Sequence, residues 1–99
     1  MNEMTIGIFV DPDVDEIALK FHDIGSEIEQ HKLAQYLHPK LLSIKQNVLT
    51  ISIQVSISET KDLFVKFTHI GDLNQRLNFE KFLYNWLPNA MKDFEEAAE

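Results

Sequence analysis

Two similar stretches occur in this chain, and the internal repeat limits the possible folds more than any other feature. Residues 5–10, Thr-Ile-Gly-Ile-Phe-Val, align with residues 50–55, Thr-Ile-Ser-Ile-Gln-Val, at an offset of 45 positions. Residues 17–26 align with residues 63–72 at an offset of 46. A repeat at a fixed period is typical of a structural unit that is used more than once. We therefore predict an internal duplication.

Each repeat begins with two short segments in which apolar side chains alternate with small or polar ones. The apolar positions are Ile6, Ile8 and Val10, then Ile17, Leu19 and Phe21, then Leu49, Ile51, Ile53, Val55 and Ile57, then Leu63, Val65 and Phe67. A period of two belongs to a strand with one buried face. We predict four strands in two hairpins, with turns at residues 11–13 and 58–61.

Residues 14–23 have a second interpretation. Asp13 followed by Glu16 resembles a capping box, which would begin a helix here. The corresponding segment, residues 63–68, is rich in β-branched and aromatic side chains, which favour strands. We therefore predict a strand.

A helix is predicted after each second strand, where an Ile-Gly pair precedes a typical capping residue, Ser26 or Asp72. Ser26 and Glu29 also form a capping-box pattern. In the second helix, apolar residues at the i, i+3, i+4, i+7 spacing predict a buried stripe of Phe79, Phe82, Leu83 and Trp86. Pro39 and Pro88 are expected to stop or kink the helices, each followed by a short continuation.

The predicted order of elements is ββα(α)-ββα(α), an α+β fold. The hairpins would form a four-stranded antiparallel sheet, with the helices packed on its apolar face. The pseudo-repeats span about residues 4–46 and 48–99, and neither has enough core to fold alone. We predict a single domain over residues 1–99.

The charge balance and the lack of cysteine limit the partners and the chemistry. A formal net charge of −7 would repel phosphate backbones and anionic membranes, so a basic protein partner fits better. Alternatively, the charge only keeps the protein in solution. Without cysteine there is no disulfide or thiolate chemistry. With no signal-like start and no apolar run of roughly 20 residues, we predict a cytoplasmic protein.

The acidic residues Asp11, Asp13 and Asp15 alternate like the start of a calcium loop. The loop would need glycine at its sixth position and glutamate at its twelfth, where this chain has Glu16 and His22. We therefore predict a hairpin turn with solvated charges.

Three residues near the Ile-Gly turns are candidates for a reactive site. His22, Asp23 and His69 could be brought together by the pseudo-symmetry, and two imidazoles with a carboxylate could bind a divalent metal or share acid-base work. The alternative is that they end strands and face water. No nucleophile elbow or phosphate-binding glycine loop is present in the sequence, so we predict no cofactor and no enzyme activity.

The outward face of the predicted sheet is poor in acidic residues. By alternation it carries Thr5, Gly7, Phe9, Ala18, Lys20, His22, Thr50, Ser52, Gln54, Ser56, Phe64, Lys66 and Thr68. Small residues, two exposed phenylalanines and a weakly cationic character favour docking of a protein or self-association, with stacking of single-stranded bases as a further possibility. The alternative is an ordinary solvated sheet face rich in threonine and serine. We predict that Phe9, Lys20, His22, Gln54, Phe64 and Lys66 form the partner-binding site.

The sequence favours a non-enzymatic protein-protein interaction module, such as an adaptor, an inhibitor, an immunity protein or an accessory factor of a mobile element. Its partner would be another protein or a second copy in a homodimer. One alternative is an enzyme that uses His22, Asp23 and His69. The other is an acidic nucleic-acid mimic that uses the C-terminal residues Asp93, Glu95, Glu96 and Glu99.

Overall fold

The computed structural model describes residues 4–11, 13–59 and 61–98. The elements are β1 (Thr5–Val10), β2 (Glu16–His22), α1 (Glu27–Asn47), β3 (Ser52–Ile57), β4 (Leu63–Thr68) and α2 (Leu73–Ala98). All strand pairs are antiparallel and form a four-stranded sheet in the order β1-β2-β4-β3. The α+β class is confirmed, as is a strand instead of a helix within residues 14–23, where β2 spans Glu16–His22. The predicted turns include Pro12 and Thr60, which lie outside the described residues.

The central pair of strands, β2 and β4, sets the geometry of the sheet. Leu19 lies opposite Val65 in the middle of the pair, and Glu16 lies opposite Thr68 near one end. Because the strands are antiparallel, the last residues of β2 and of β4 lie at opposite ends of the sheet. β1 and β3 are the two edge strands.

The alternating residues of β2 and β4 bury one face of the sheet. Ile17, Leu19 and Phe21 and their counterparts in β4 are at most 1% exposed. They belong to one hydrophobic cluster that also contains buried side chains from both helices, including Leu33, Leu37, Leu41, Ile44, Phe79, Leu83 and Leu87. This pattern leaves the side chains between them on the opposite, outer face.

Both helices begin with the predicted side-chain caps. The Ser26 hydroxyl accepts from the Glu29 amide at 3.3 Å. The Asp72 carboxylate accepts from the Gln75 amide at 2.9 Å, and the Gln75 side-chain oxygen accepts from the Asp72 amide at 2.8 Å. These bonds satisfy amide groups that have no partner within a helix.

Both prolines lie inside continuous helices, so of the two expected effects, a stop or a kink, the stop does not occur. Pro39 and Pro88 are exposed. A proline inside a helix costs about 3 kcal/mol, whereas burying one large aliphatic side chain gains about 1.5–3 kcal/mol. In α1, Leu41 and Ile44 are buried beyond the proline and together offset its cost.

β3 is shorter than predicted. The expected strand began at Leu49 with this side chain inward, but Leu49 is 83% exposed and lies in a turn closed by the Ile51 amide and the Val48 carbonyl. The cause is the length of α1, which leaves only residues 48–51 to reach the sheet. Val55 and Ile57, also predicted inward, are exposed at this edge of the sheet.

Candidate functional site

The outer face of the sheet gathers the residues that the sequence assigned to partner binding. The strand register places Phe9, Ala18, Lys66 and Gln54 in one row across the sheet, and Gly7, Lys20, Phe64 and Ser56 in the next. His22 lies in the following row, opposite Thr5. All six predicted residues therefore share one face, and their binding role stays a prediction.

The two phenylalanines of this face have different surroundings. Phe9 is 55% exposed, and its ring lies over Gly7, whose missing side chain leaves room for it. Phe64 is half-buried, and the Lys20 ammonium lies 5.3 Å from the centre of its ring. That distance is within the range of a cation–π contact. The face therefore carries one exposed aromatic ring on an edge strand and one half-buried ring on a central strand.

The charged groups of the outer face are paired within the protein. Lys66 lies 3.5 Å from the Glu16 carboxylate and Lys20 lies 3.9 Å from the Asp62 carboxylate. His22 Nδ1 lies 3.0 Å from the other Asp62 oxygen. The face is therefore less cationic than expected, because the prediction left out two carboxylates: Glu16, the first residue of β2, and Asp62, which immediately precedes β4.

The candidate reactive residues are not brought together. His22 ends β2 beside Asp62, whereas His69 follows β4 and its Nδ1 lies 3.1 Å from the Ser52 hydroxyl. Six residues of strand separate these two ends, about 20 Å at roughly 3.3 Å per residue. Asp23 is exposed beyond His22. The expectation of a shared site fails because β2 and β4 run in opposite directions.

Metal coordination can be assessed over residues 4–11, 13–59 and 61–98. Within these ranges, no group of three or more histidine, aspartate or glutamate side chains is placed to hold a metal ion. The predicted alternative of a metal site at His22, Asp23 and His69 therefore has no assembled ligand set.

A cleft lies between the C-terminal end of α1 and the first turns of α2. Its volume is about 400 Å³, within the usual range of about 300–1,000 Å³ for ligand sites. It is lined by Ile44, Asn47, Val48, Ile70, Gln75, Asn78, Phe79 and Phe82. None of these residues is charged, so the cleft is an apolar recess with carboxamide groups at its wall.

The cleft was not predicted from the sequence, because Phe82 was expected to belong to the buried stripe of α2. Phe79 and Leu83 are buried, but Phe82 is 41% exposed. Its ring lies 5.8 Å from that of Phe79 and 6.5 Å from that of Trp86. The i, i+3, i+4, i+7 spacing gives no signal that separates Phe82 from its buried neighbours, because all of these positions belong to one apolar stripe.

The acidic C-terminal residues lie along α2. Asp93, Glu95 and Glu96 are exposed, and Glu99 lies outside the described residues. The nucleic-acid mimic therefore stays a prediction.

The sheet, the two helices and the uncharged cleft define an α+β protein with an outer sheet face and a recess between its helices. In the part of the chain that the structure describes, neither helix is long and apolar enough to cross a membrane. No protein-family model, curated protein or solved structure matches the chain.

Proposed function

We propose that this protein is a non-enzymatic interaction module that binds a protein partner, or a second copy of itself, through the outer face of the sheet. The observation that carries the proposal is the exposed ring of Phe9, on the same sheet face as the half-buried Phe64 ring and its Lys20 contact. Aromatic residues, phenylalanine included, are enriched in protein interfaces relative to the rest of the surface.

Paired charges make this face easier to cover than an unpaired cationic face would be. Removing an isolated ammonium group from water costs several kcal/mol, and the partner would have to supply the counter-charge. Here Glu16 and Asp62 already supply it to Lys66 and Lys20. The partner therefore does not need a charged surface to cover this face.

The outer-face proposal predicts that Phe9→Ala and Phe64→Ala each weaken partner binding or self-association by at least about tenfold, or about 1.4 kcal/mol. Self-association is measured by sedimentation velocity, and partner binding by titration with the protein captured by the wild-type chain. Ile28→Ala, at an exposed apolar position on α1, is the matched control. Unchanged binding in both phenylalanine variants would move the interface away from this face.

We also propose that the two halves are copies of one ββα unit related by a pseudo-two-fold axis. The axis would pass between Leu19 and Val65, which are strand partners 46 positions apart. The loops before the helices support it, because Asp23 and His69 share φ values of 57° and 58°. The ion pairs support it too, since the same shift of 46 positions relates Lys20–Asp62 to Lys66–Glu16.

The spacing of buried residues in the helices supports the same relation. Four buried positions of α1 match buried positions of α2 at a shift of 46, which pairs Leu33, Leu37, Leu41 and Ile44 with Phe79, Leu83, Leu87 and Ala90. The buried residues Gln30 and Met91 have no buried counterpart.

His22 and Thr68 are related by the shift of 46 positions, and their strand partners are Thr5 and Ser52. The strand register therefore matches Thr5 with Ser52. The offset between β1 and β3 is then 47, instead of the 45 expected from sequence.

The duplicated loops predict a loss of stability from a glycine substitution in either loop. Gly25 and Gly71 have φ values of 123° and 140°, which side chains rarely adopt. Gly25→Ala should lower the free energy of unfolding by about 1–2 kcal/mol in urea denaturation. Gly71→Ala should lower it by more, because the added Cβ would also collide with the Gln75 side chain that caps α2. Gly7→Ala, in β1, is the control and requires only that the Phe9 ring moves. A loss at one loop alone would count against a shared loop structure.

A further inference from the structure

The cleft has a counterpart in the other half of the molecule. A shift of 46 positions relates Val48 to Phe94 and Phe82 to Tyr36, and it relates Ile44 to Ala90 in the same way. The cleft beside α1 can therefore be compared with the corresponding place at the end of α2. This comparison rests on the proposed duplication and goes beyond the proposed outer-face interaction.

In the counterpart, an aromatic side chain of the protein itself occupies the corresponding place. The Phe94 ring lies 5.1 Å from the Tyr36 ring, in a tilted arrangement. The Tyr36 hydroxyl donates to the Ala90 carbonyl oxygen at 3.0 Å. Both aromatic residues are only partly exposed and pack against the core cluster. The Phe94 ring thus shows that an aromatic side chain fits this position in the counterpart.

In the cleft, the corresponding ring is missing. The residue in the place of Phe94 is Val48, which lies at the C-terminal cap where the chain leaves α1. A valine cannot cover the neighbouring aromatic residue as a phenylalanine does. Phe82 therefore stays 41% exposed beside the open volume of about 400 Å³.

The rim of the cleft differs from that of its counterpart in charge. The cleft has Asn47, Gln75 and Asn78, whereas the counterpart positions carry Asp93, Glu29 and Lys32. Asn47 uses its amide nitrogen to bond Ser43, and Gln75 uses its side-chain oxygen to accept from Asp72. The remaining carboxamide atoms suit the donors and acceptors of a peptide backbone.

We propose that the cleft binds a phenylalanine side chain of a protein partner, presented by an uncharged segment, in the place that Phe94 takes in the other half. The ring would stack against Phe82 and contact the apolar residues of the wall. Backbone groups on either side of it would bond the carboxamides of the rim. Aromatic contacts of this kind add to the gain from apolar burial.

Titration of the full chain with short capped peptides, followed by the amide shifts in ¹H–¹⁵N NMR spectra, tests this proposal. Acetyl-Gly-Phe-Gly-amide should shift the amides of Val48, Ile70 and Asn78 saturably, with a dissociation constant on the order of 1 mM, as expected for one anchoring side chain. Acetyl-Gly-Ala-Gly-amide should bind at least about tenfold more weakly, because it brings no ring to the cleft.

Two variants and one control variant locate the binding. Val48→Phe supplies the missing ring from the chain itself and should abolish the shifts, whereas Val14→Phe, at an exposed position in another turn, should leave them unchanged. Phe82→Ala removes one wall of the cleft and should weaken binding at least about fivefold. Well-dispersed spectra of each variant confirm that it is folded.

Several results would overturn the proposal. Equal binding of the two peptides would show no preference for an aromatic ring. Saturable binding of toluene with no gain from the peptide would assign the cleft to small aromatic molecules instead of a protein. Shifts confined to the outer face, or no shifts at all, would leave the cleft without this role. Phe9→Ala should not affect the titration, so this test and that of the outer face fail separately.

Discussion

The Phe67→Ala variant is expected to lose about 3–5 kcal/mol of unfolding free energy, the usual cost of removing a buried phenylalanine ring. Phe67 lies in β4, is fully buried, and packs with Phe79 in an edge-to-face arrangement, with the two ring centres 5.1 Å apart. Its removal would leave a cavity between the sheet and α2. A domain of this length has about 5–15 kcal/mol in total, so the loss would take a large share of its stability.

Urea denaturation followed by circular dichroism measures this loss as a fall in the midpoint with little change in slope. Phe64→Ala is the matched control, because Phe64 lies in the same strand and on the opposite face, where its side chain is only half-buried. Its loss should be clearly smaller. Equal losses in the two variants would contradict the assignment of inner and outer faces in β4.

The features of the fold that depend on neighbouring residues could be predicted from the sequence. The alternation in β2 and β4 identified the strands because one residue in two had to be apolar to face the core. The capping residues Ser26 and Asp72 identified both helix starts because a side-chain oxygen two or three residues ahead satisfies a helix amide.

Other features depend on a balance between distant parts of the chain and were predicted wrongly. Pro39 alone favours a helix end, but burial of Leu41 and Ile44 in the common core keeps α1 continuous. The longer α1 then moves the start of β3 from Leu49 to Ser52. Local propensity could not show either result, because the stabilising contacts come from other elements.

The candidate sites, too, could be predicted only where they depend on neighbouring residues. The residues of the outer face could be placed on one face by alternation, whereas their charge could not, since the Lys20–Asp62 and Lys66–Glu16 pairs cross between neighbouring strands. The separation of His22 from His69 follows from strand order, which the sequence did not define. The cleft depends on where α1 ends relative to α2, so it had no signature in either segment alone.

Asp15 was predicted to be one of the solvated charges of the first turn, but its side chain has a structural role. The Asp15 carboxylate accepts from the Ile70 amide at 3.0 Å and from the Gly71 amide at 3.2 Å. Arg76 of α2 donates to the Val14 carbonyl at 2.8 Å. The turn between β1 and β2 is thereby joined to the start of α2, across more than 50 residues of sequence.

Asp15→Ala is therefore expected to lower the free energy of unfolding by about 2–3 kcal/mol. Two partly buried amide groups lose their acceptor, at a cost of about 1–3 kcal/mol each, and water reaching the turn recovers some of it. Asp15→Asn keeps one acceptor oxygen and should lose about half as much. Asp13→Ala, at an exposed position in the same turn, should stay within about 0.5 kcal/mol of the wild type.

Urea denaturation compares the three variants, and hydrogen exchange at the Ile70 and Gly71 amides should become faster in Asp15→Ala. If Asp15→Ala were as stable as Asp13→Ala, the bonds between the turn and α2 would contribute nothing to folding.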